Sequence, residues 1–237
     1  MLRRIDLRGE KGPLKDRLPR PNLEGEAPLS AVRELLREVR EGGDVAIRTL
    51  THRFDGVDID TPLVEERDLR KAWQSLDVET AEALQAAHDR ILRFQQEEAQ
   101  PPRTVTQEGI TVTSVPQPME RVGLYVPGGL AAYPSTVLMT SLPARAAGVE
   151  QIMLCTPPNP TGDVETVVLA SAYLCGVAEL YKIGGVQAIA AMAYGTESIE
   201  PVDVIAGPGN IWVATAKQEV AGVVGIASAF AGPSEIV

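Results

Sequence analysis

Apolar residues along this chain follow two different rhythms, and the change falls near residue 120. Val32, Leu35, Leu36 and Val39 recur at helical spacing behind Ser30, a residue suited to cap the helix. Gly42-Gly43 should end that helix, and Asp44 can cap the next, which carries Ala46, Leu50 and Phe54 on one face. A longer helix is expected from near Asp77 to about Gln96, with Leu84, Ala87, Ile91 and Phe94 facing inward. Residues 104–115 then alternate and are rich in β-branched side chains around Glu108-Gly109, the pattern of a hairpin.

From Val122 the pattern becomes strand, loop, helix, repeated. Short apolar strands are expected at 122–126, 151–155, 179–183, 202–206 and 223–227. Helices are expected near 135–147, 163–175, 186–194 and 210–221. Such alternation predicts right-handed β-α-β crossovers and a parallel sheet. The fold class is therefore α/β: an N-terminal helical region and hairpin, then a Rossmann-like parallel domain. The expected divisions are an N-terminal arm over 1–24, a helical part with hairpin over 25–120, a Rossmann-like domain over 121–233, and the start of a return segment at 234–237. Because Ser234-Glu235-Ile236-Val237 reads as a loop entering a buried strand, the domain is expected to be incomplete.

Charge sharpens this division. Residues 21–120 carry 20 acidic and 11 basic side chains, against 9 and 4 in 121–237, so the second stretch reads as elements buried on several sides. A formal net charge of −10 argues against a nucleic-acid surface, which needs clustered Lys and Arg. The first twenty residues hold seven basic against three acidic side chains and read as a solvated arm. No apolar run approaches the roughly eighteen residues of a membrane span, and the opening lacks the apolar stretch of a signal peptide. Cys155 and Cys175 are too few for a disulfide scaffold and lack metal-ligand spacing, which points to a reduced, cytoplasmic protein.

Glycines cluster where chemistry is expected. Gly128-Gly129, Gly184-Gly185, Gly207-Pro208-Gly209-Asn210 and Gly232-Pro233-Ser234 each follow an expected strand, on the side where open α/β sheets bind ligands. Tight strand-to-helix turns would account for any one of them; the set together points to a ligand site. A dinucleotide fingerprint is not complete, because Trp212 occupies its third glycine position. Cys155 has no basic neighbour in sequence to activate it and reads as a buried structural thiol, as does Cys175. Lys182 and Lys217 read as solvated surface, and Glu97-Glu98 would diverge around a helix.

In order and spacing, Tyr125-Val126-Pro127-Gly128-Gly129, Gly184-Gly185-Val186-Gln187-Ala188-Ile189-Ala190-Ala191, Gly207-Pro208-Gly209-Asn210-Ile211 and Ala231-Gly232-Pro233-Ser234-Glu235 resemble the histidinol dehydrogenase family. The likeness covers essentially the whole chain, including Phe54-Asp55-Gly56, and is sharpest from Arg121 onward. It implies a pair of incomplete, aldehyde-dehydrogenase-like Rossmann domains in an intertwined, zinc-containing homodimer. The implied reaction takes L-histidinol to L-histidine through the aldehyde, in two NAD-dependent oxidations that end histidine biosynthesis.

Residue by residue, the resemblance implies NAD contacts at Tyr125, Gln187 and Asn210, and a substrate contact at Ser234. On their own these residues would read as a core tyrosine, two amides at helix starts and a turn serine. The family's catalytic Glu-His pair and its zinc-binding Gln, His, Asp and His fall beyond Val237. His52 and His88 match no ligand position, so no catalytic or metal-binding residue is assigned and the chain alone is expected to be inactive. An acid usual in the family before Ala231 is missing from Ile226-Ala227-Ser228-Ala229-Phe230, and Trp212 replaces a smaller residue. A different class of function remains open: a non-catalytic nucleotide-binding or dimerisation module without the catalytic half.

Overall fold

The computed structural model describes residues 6–9, 28–129 and 131–227. The N-terminal arm, Ser234 and the altered stretch at 228–230 therefore lie outside the described residues, apart from Asp6–Gly9. In chain order the elements are α1 (Leu29–Asp55), β1 (Leu63–Val64), α2 (Glu66–Gln74), α3 (Val78–Glu98), β2 (Arg103–Gln107), β3 (Ile110–Ser114), β4 (Arg121–Tyr125) and α4 (Pro134–Ala146). There follow β5 (Gln151–Cys155), α5 (Thr166–Leu174), β6 (Glu179–Tyr181), α6 (Gly185–Tyr194), β7 (Val204–Ala206), α7 (Ile211–Val220) and β8 (Gly225–Ile226).

Six strands form one sheet in the order β1-β6-β5-β4-β7-β8. Its five later strands run parallel, and β1 pairs antiparallel at one edge. The chain leaves β4 toward β5 and β6, then crosses through α6 to β7 on the other side of β4. That reversal makes a topological switch point between β4 and β7, the place where open α/β sheets bind ligands.

Alternation along β5 explains why both faces are covered. Met153 and Cys155 pack into one core with α1, α6 and α7, while Ile152 and Leu154 pack into the other with α2, α3, α4 and α5. The helical first stretch is thus not a layer of its own; it supplies α1 to one face and α2 and α3 to the other.

Val32, Leu35, Leu36 and Val39 are buried as their spacing predicts. The helix begins earlier than Ser30, however. Pro28 is the N-cap residue, its carbonyl accepts from the Val32 N–H at 2.8 Å, and the Ser30 hydroxyl caps nothing. The break at Gly43 is present, with φ 52° and ψ −135°. Its cap comes from across the fold: Asp44 N–H donates to the Glu197 carboxylate at 2.8 Å, while the Asp44 side chain accepts from Ser198 Oγ at 3.0 Å. A Cβ at Gly43 would overlap Glu197, so this glycine answers to both conformation and space. The helix α3 starts beside Asp77 as expected, and Asp77 caps it, accepting from Thr80 N–H at 2.8 Å.

Two inward assignments are corrected. Phe54 and Phe94 are 52% and 58% exposed. Phe54 sits in the last turn of α1, beyond the reach of the core under Leu50; α3 is covered mainly around Leu84, short of Phe94. The hairpin forms with Glu108 and Gly109 both at positive φ, as a primed turn requires. Its ten strand residues are all exposed, with Val105 opposite Val112 on one face. On the other face Thr104–Thr113 and Thr106–Thr111 bond hydroxyl to hydroxyl at 3.0 Å.

Candidate functional site

At the carboxyl ends of the parallel strands, over the switch point, lies a cavity of about 780 Å3. That volume suits a nucleotide-sized ligand. It gathers Tyr125 from the end of β4, Gln187 from the first turn of α6 and Asn210 from the start of α7, three residues far apart in the chain. Gly128-Gly129 and Gly185 contribute backbone to the wall, and Trp212 contributes a ring that is 40% exposed. Ser234, expected to face substrate, lies outside the described residues.

Each of these side chains is held differently. Tyr125 is buried, and its hydroxyl accepts from the Gly185 N–H at 3.1 Å. Burial, foremost, and the nearby Cys155 and Asp55 acids push its pKa up to about 12, although the Gly185 bond opposes them. At neutral pH the phenol therefore keeps its proton and remains a donor. The Gln187 side chain is buried, with its carbonyl oxygen folded back against Gly185, and among the described residues its amide makes no hydrogen bond. Asn210 caps α7, accepting from the Val213 N–H at 3.1 Å, which leaves its NH2 group available to a ligand.

The loops are interlocked. Gly207 has φ 110°, and a Cβ there would overlap the Tyr125 carbonyl oxygen, so the turns after β4 and β7 meet backbone to backbone. Lys217 corrects its reading as solvated surface: it is 3% exposed, and its ammonium donates to the Gly207 carbonyl. Desolvation lowers its pKa to about 8. Its helical position on α7 turns the stem inward beneath the Gly207–Asn210 loop, which sequence spacing alone did not reveal. Lys182 donates to the Gly162 carbonyl at 2.9 Å.

Sequence reasoning also missed part of the wall. Phe54 and Asp55, at the end of α1, line the cavity, and so do Thr156 and Pro157 after β5. Asp55 Oδ2 is shut away from solvent with no hydrogen-bond partner, and burial raises the carboxyl pKa to about 6. The one signal available was the Phe54-Asp55-Gly56 match itself; nothing local places it beside residues so much later in the chain. Both thiols are buried, as expected: burial pushes Cys155 well above its ordinary value and Cys175 to about 12, so neither is a ready nucleophile. His52 pairs with Asp58 and His88 with Asp89, both at 2.9 Å. No three His, Cys, Asp or Glu side chains converge as metal donors among the described residues. None of the helices there is long and apolar enough to cross a membrane.

Comparison with known proteins identifies the family. Residues 18–237 match the family model described as histidinol dehydrogenase. A histidinol dehydrogenase of Parasynechococcus marenigrum (strain WH8102) is 52% identical over 206 residues, covering 86% of this chain and 46% of the relative. One from Geobacillus kaustophilus (strain HTA426) is 48% identical, covering 87% and 49%. The crystal structure of histidinol dehydrogenase from Elizabethkingia anophelis superposes with a TM-score of 0.87 at 36% identity, over 93% of this chain and 51% of that one. The chain thus spans about half the length of the relatives it matches.

Proposed function

This chain belongs to the histidinol dehydrogenase family, and we propose that it supplies the dinucleotide pocket of an enzyme oxidising L-histidinol to L-histidine through the aldehyde. One observation carries the reading: three neutral hydrogen-bonding side chains, Tyr125, Gln187 and Asn210, meet in a nucleotide-sized cavity at the switch point of a parallel sheet. On this reading they hold NAD, which when bound accepts a hydride in each of two successive oxidations. The Tyr125 phenol and the Asn210 NH2 donate to ligand oxygens, the Gln187 amide can donate or accept, and the glycine turns let backbone approach. Ser234 is proposed to contact substrate.

Zinc does not fit the described residues. His52 and His88 lie on different helices, each engaged by an aspartate, and the thiols are buried singly. The reading therefore assigns neither metal nor general base to them, and residues 1–237 alone are expected to give no turnover. The complete protein is proposed to be a cytoplasmic homodimer; the apolar face of the exposed hairpin, with Val105 and Val112, supports a further contact surface.

The test compares the complete gene product with its Gln187→Ala variant, following reduced-cofactor absorbance with L-histidinol and NAD binding by calorimetry. Loss of a hydrogen bond to a neutral partner predicts an NAD affinity roughly two- to twelve-fold weaker. Unchanged NAD affinity with a clear loss of stability would make Gln187 structural. No histidinol-dependent reduction by the complete protein would defeat the functional reading.

A further inference from the structure

We infer that Asp55 accepts a hydrogen bond from a ribose hydroxyl on the adenosine half of the cofactor, and that its carboxylate turns away a dinucleotide phosphorylated at that sugar. The inference rests on the NAD reading above and extends it to a residue on another element. Asp55 is the last residue of α1, and its side chain lines the same cavity as Tyr125, Gln187 and Asn210. Neither of its oxygens receives a hydrogen bond among the described residues, and Oδ2 is closed off from solvent. The site is unfavourable for a carboxylate in a second way, because the carbonyl end of a helix repels negative charge. Oδ1 also lacks a donor and is not closed off in this way, so it is the oxygen that a ligand in the cavity can reach.

The neighbouring side chain indicates which donor. Phe54 lines the same cavity and is 52% exposed, and the ring face away from Arg53 offers a surface on which a planar base can stack. A base stacked there carries its sugar next to the following residue, Asp55. Ribose presents two adjacent hydroxyl donors, which a carboxylate accepts well.

Charge supplies the selectivity. Among the described residues lining the cavity the charged side chains are Asp55 and Glu165, both acidic; no Lys or Arg belongs to the wall. Arg53 lies over the Phe54 ring, 5.0 Å from its centroid, and outside the lining. A phosphate in place of the 2′-hydroxyl would remove a donor and set like charges together with no cation between them.

The experiment titrates NAD, NADP and adenosine monophosphate into the complete wild-type protein and its Asp55→Asn variant by calorimetry. Circular dichroism checks folding, and Asp55→Ser serves as a second variant should the amide misfold. A hydrogen bond to a charged acceptor predicts that NAD and adenosine monophosphate each bind about tenfold more weakly to the variant. The preference for NAD over NADP should shrink by a similar factor. A folded variant with unchanged NAD and adenosine monophosphate affinities overturns the contact, as when a residue from the rest of the protein pairs with Asp55. A loss of affinity with an unchanged preference overturns the selectivity. A wild-type protein that binds no NAD removes the NAD reading and this inference together; a wild type that binds it while the variant matches it removes the inference alone.

Discussion

Replacing Asp55 by asparagine should stabilise the free 237-residue chain at neutral and higher pH, and the gain should vanish in acid. Burial lifts the carboxyl from its ordinary 3.8 to about 6. At about 1.4 kcal/mol per unit, the ionised form costs the folded chain up to about 3 kcal/mol, and residual solvent contact trims this to about 1–3 kcal/mol. The direction follows from proton uptake. With its folded-state pKa raised, the folded chain holds this proton more tightly than the unfolded chain does. The stability the group contributes is fully present below about 3.8 and is lost as pH rises through about 6. The Asp55→Asn side chain has no proton to lose, so the gap between variant and wild type should open between about pH 4 and pH 7 and stay constant above. Urea unfolding followed by circular dichroism at several pH values across that window measures it. A variant no more stable than wild type near pH 8, or a gap that does not narrow in acid, would refute the reasoning. Saturating NAD should narrow the gap by about 1.4 kcal/mol in the complete protein, the equivalent of the tenfold affinity difference, because only the wild type gains the extra contact on binding.

Tyr125→Phe should lower both stability and NAD affinity. The hydroxyl is the partner of the Gly185 N–H, whose loss costs about 1–3 kcal/mol in the buried state, seen as an earlier urea midpoint. Gly43→Ala should cost about 2–4 kcal/mol by urea unfolding, combining positive-φ strain with displacement of the Glu197 cap; a cost under about 0.5 kcal/mol would refute the dual role of this glycine. Lys217→Met should leave the melting temperature unchanged or higher at neutral pH, since it removes a desolvated ammonium, yet raise the apparent NAD constant in the complete protein by loosening Gly207. In wild type the folded-state pKa of Lys217 is depressed to about 8, so its contribution to stability should rise between about pH 8 and pH 10.5, a slope absent from Lys217→Met.

What the sequence conveyed tracks how local each determinant is. β5 was legible to the residue, because Gln151–Cys155 is a short apolar run bounded by loops and buried on both faces. β7 was expected from Val202 but is paired only from Val204; Asp203 instead accepts the Arg121 N–H at 2.9 Å, a contact made 82 positions away. The second helix, α2, was hidden by its composition: of nine residues only Leu69 and Ala72 are buried, so charge masks its period. Of the site, the strand-end glycines could be read from turn chemistry, whereas Tyr125, Gln187 and Asn210 beside them were indicated only by the family resemblance. Asp55, Phe54 and Lys217 could not be read from turn chemistry either, because their roles depend on where the end of α1 and the inner face of α7 meet the sheet.

The interlocking of the loops explains why the proposed binding groups and the structural groups overlap here. Tyr125 is at once the end of β4, the partner of the Gly185 N–H and a wall of the cavity. Its carbonyl oxygen lies where a side chain at Gly207 would be, and Gly207 is in turn held by Lys217. Asn210, at the end of the same loop, caps α7 while facing the ligand space. Turns from β4, β6 and β7 therefore form one continuous wall, and displacement of one is felt by the others through backbone contacts. Asp55 stands apart from this network: it comes from α1 and is tied to no turn by a hydrogen bond among the described residues. A group whose surroundings leave it unsatisfied, beside turns braced against one another through their backbones, is placed to respond to the ligand rather than to hold the fold. That contrast is why asparagine at position 55 separates binding from stability more cleanly than any change to Tyr125 or Asn210.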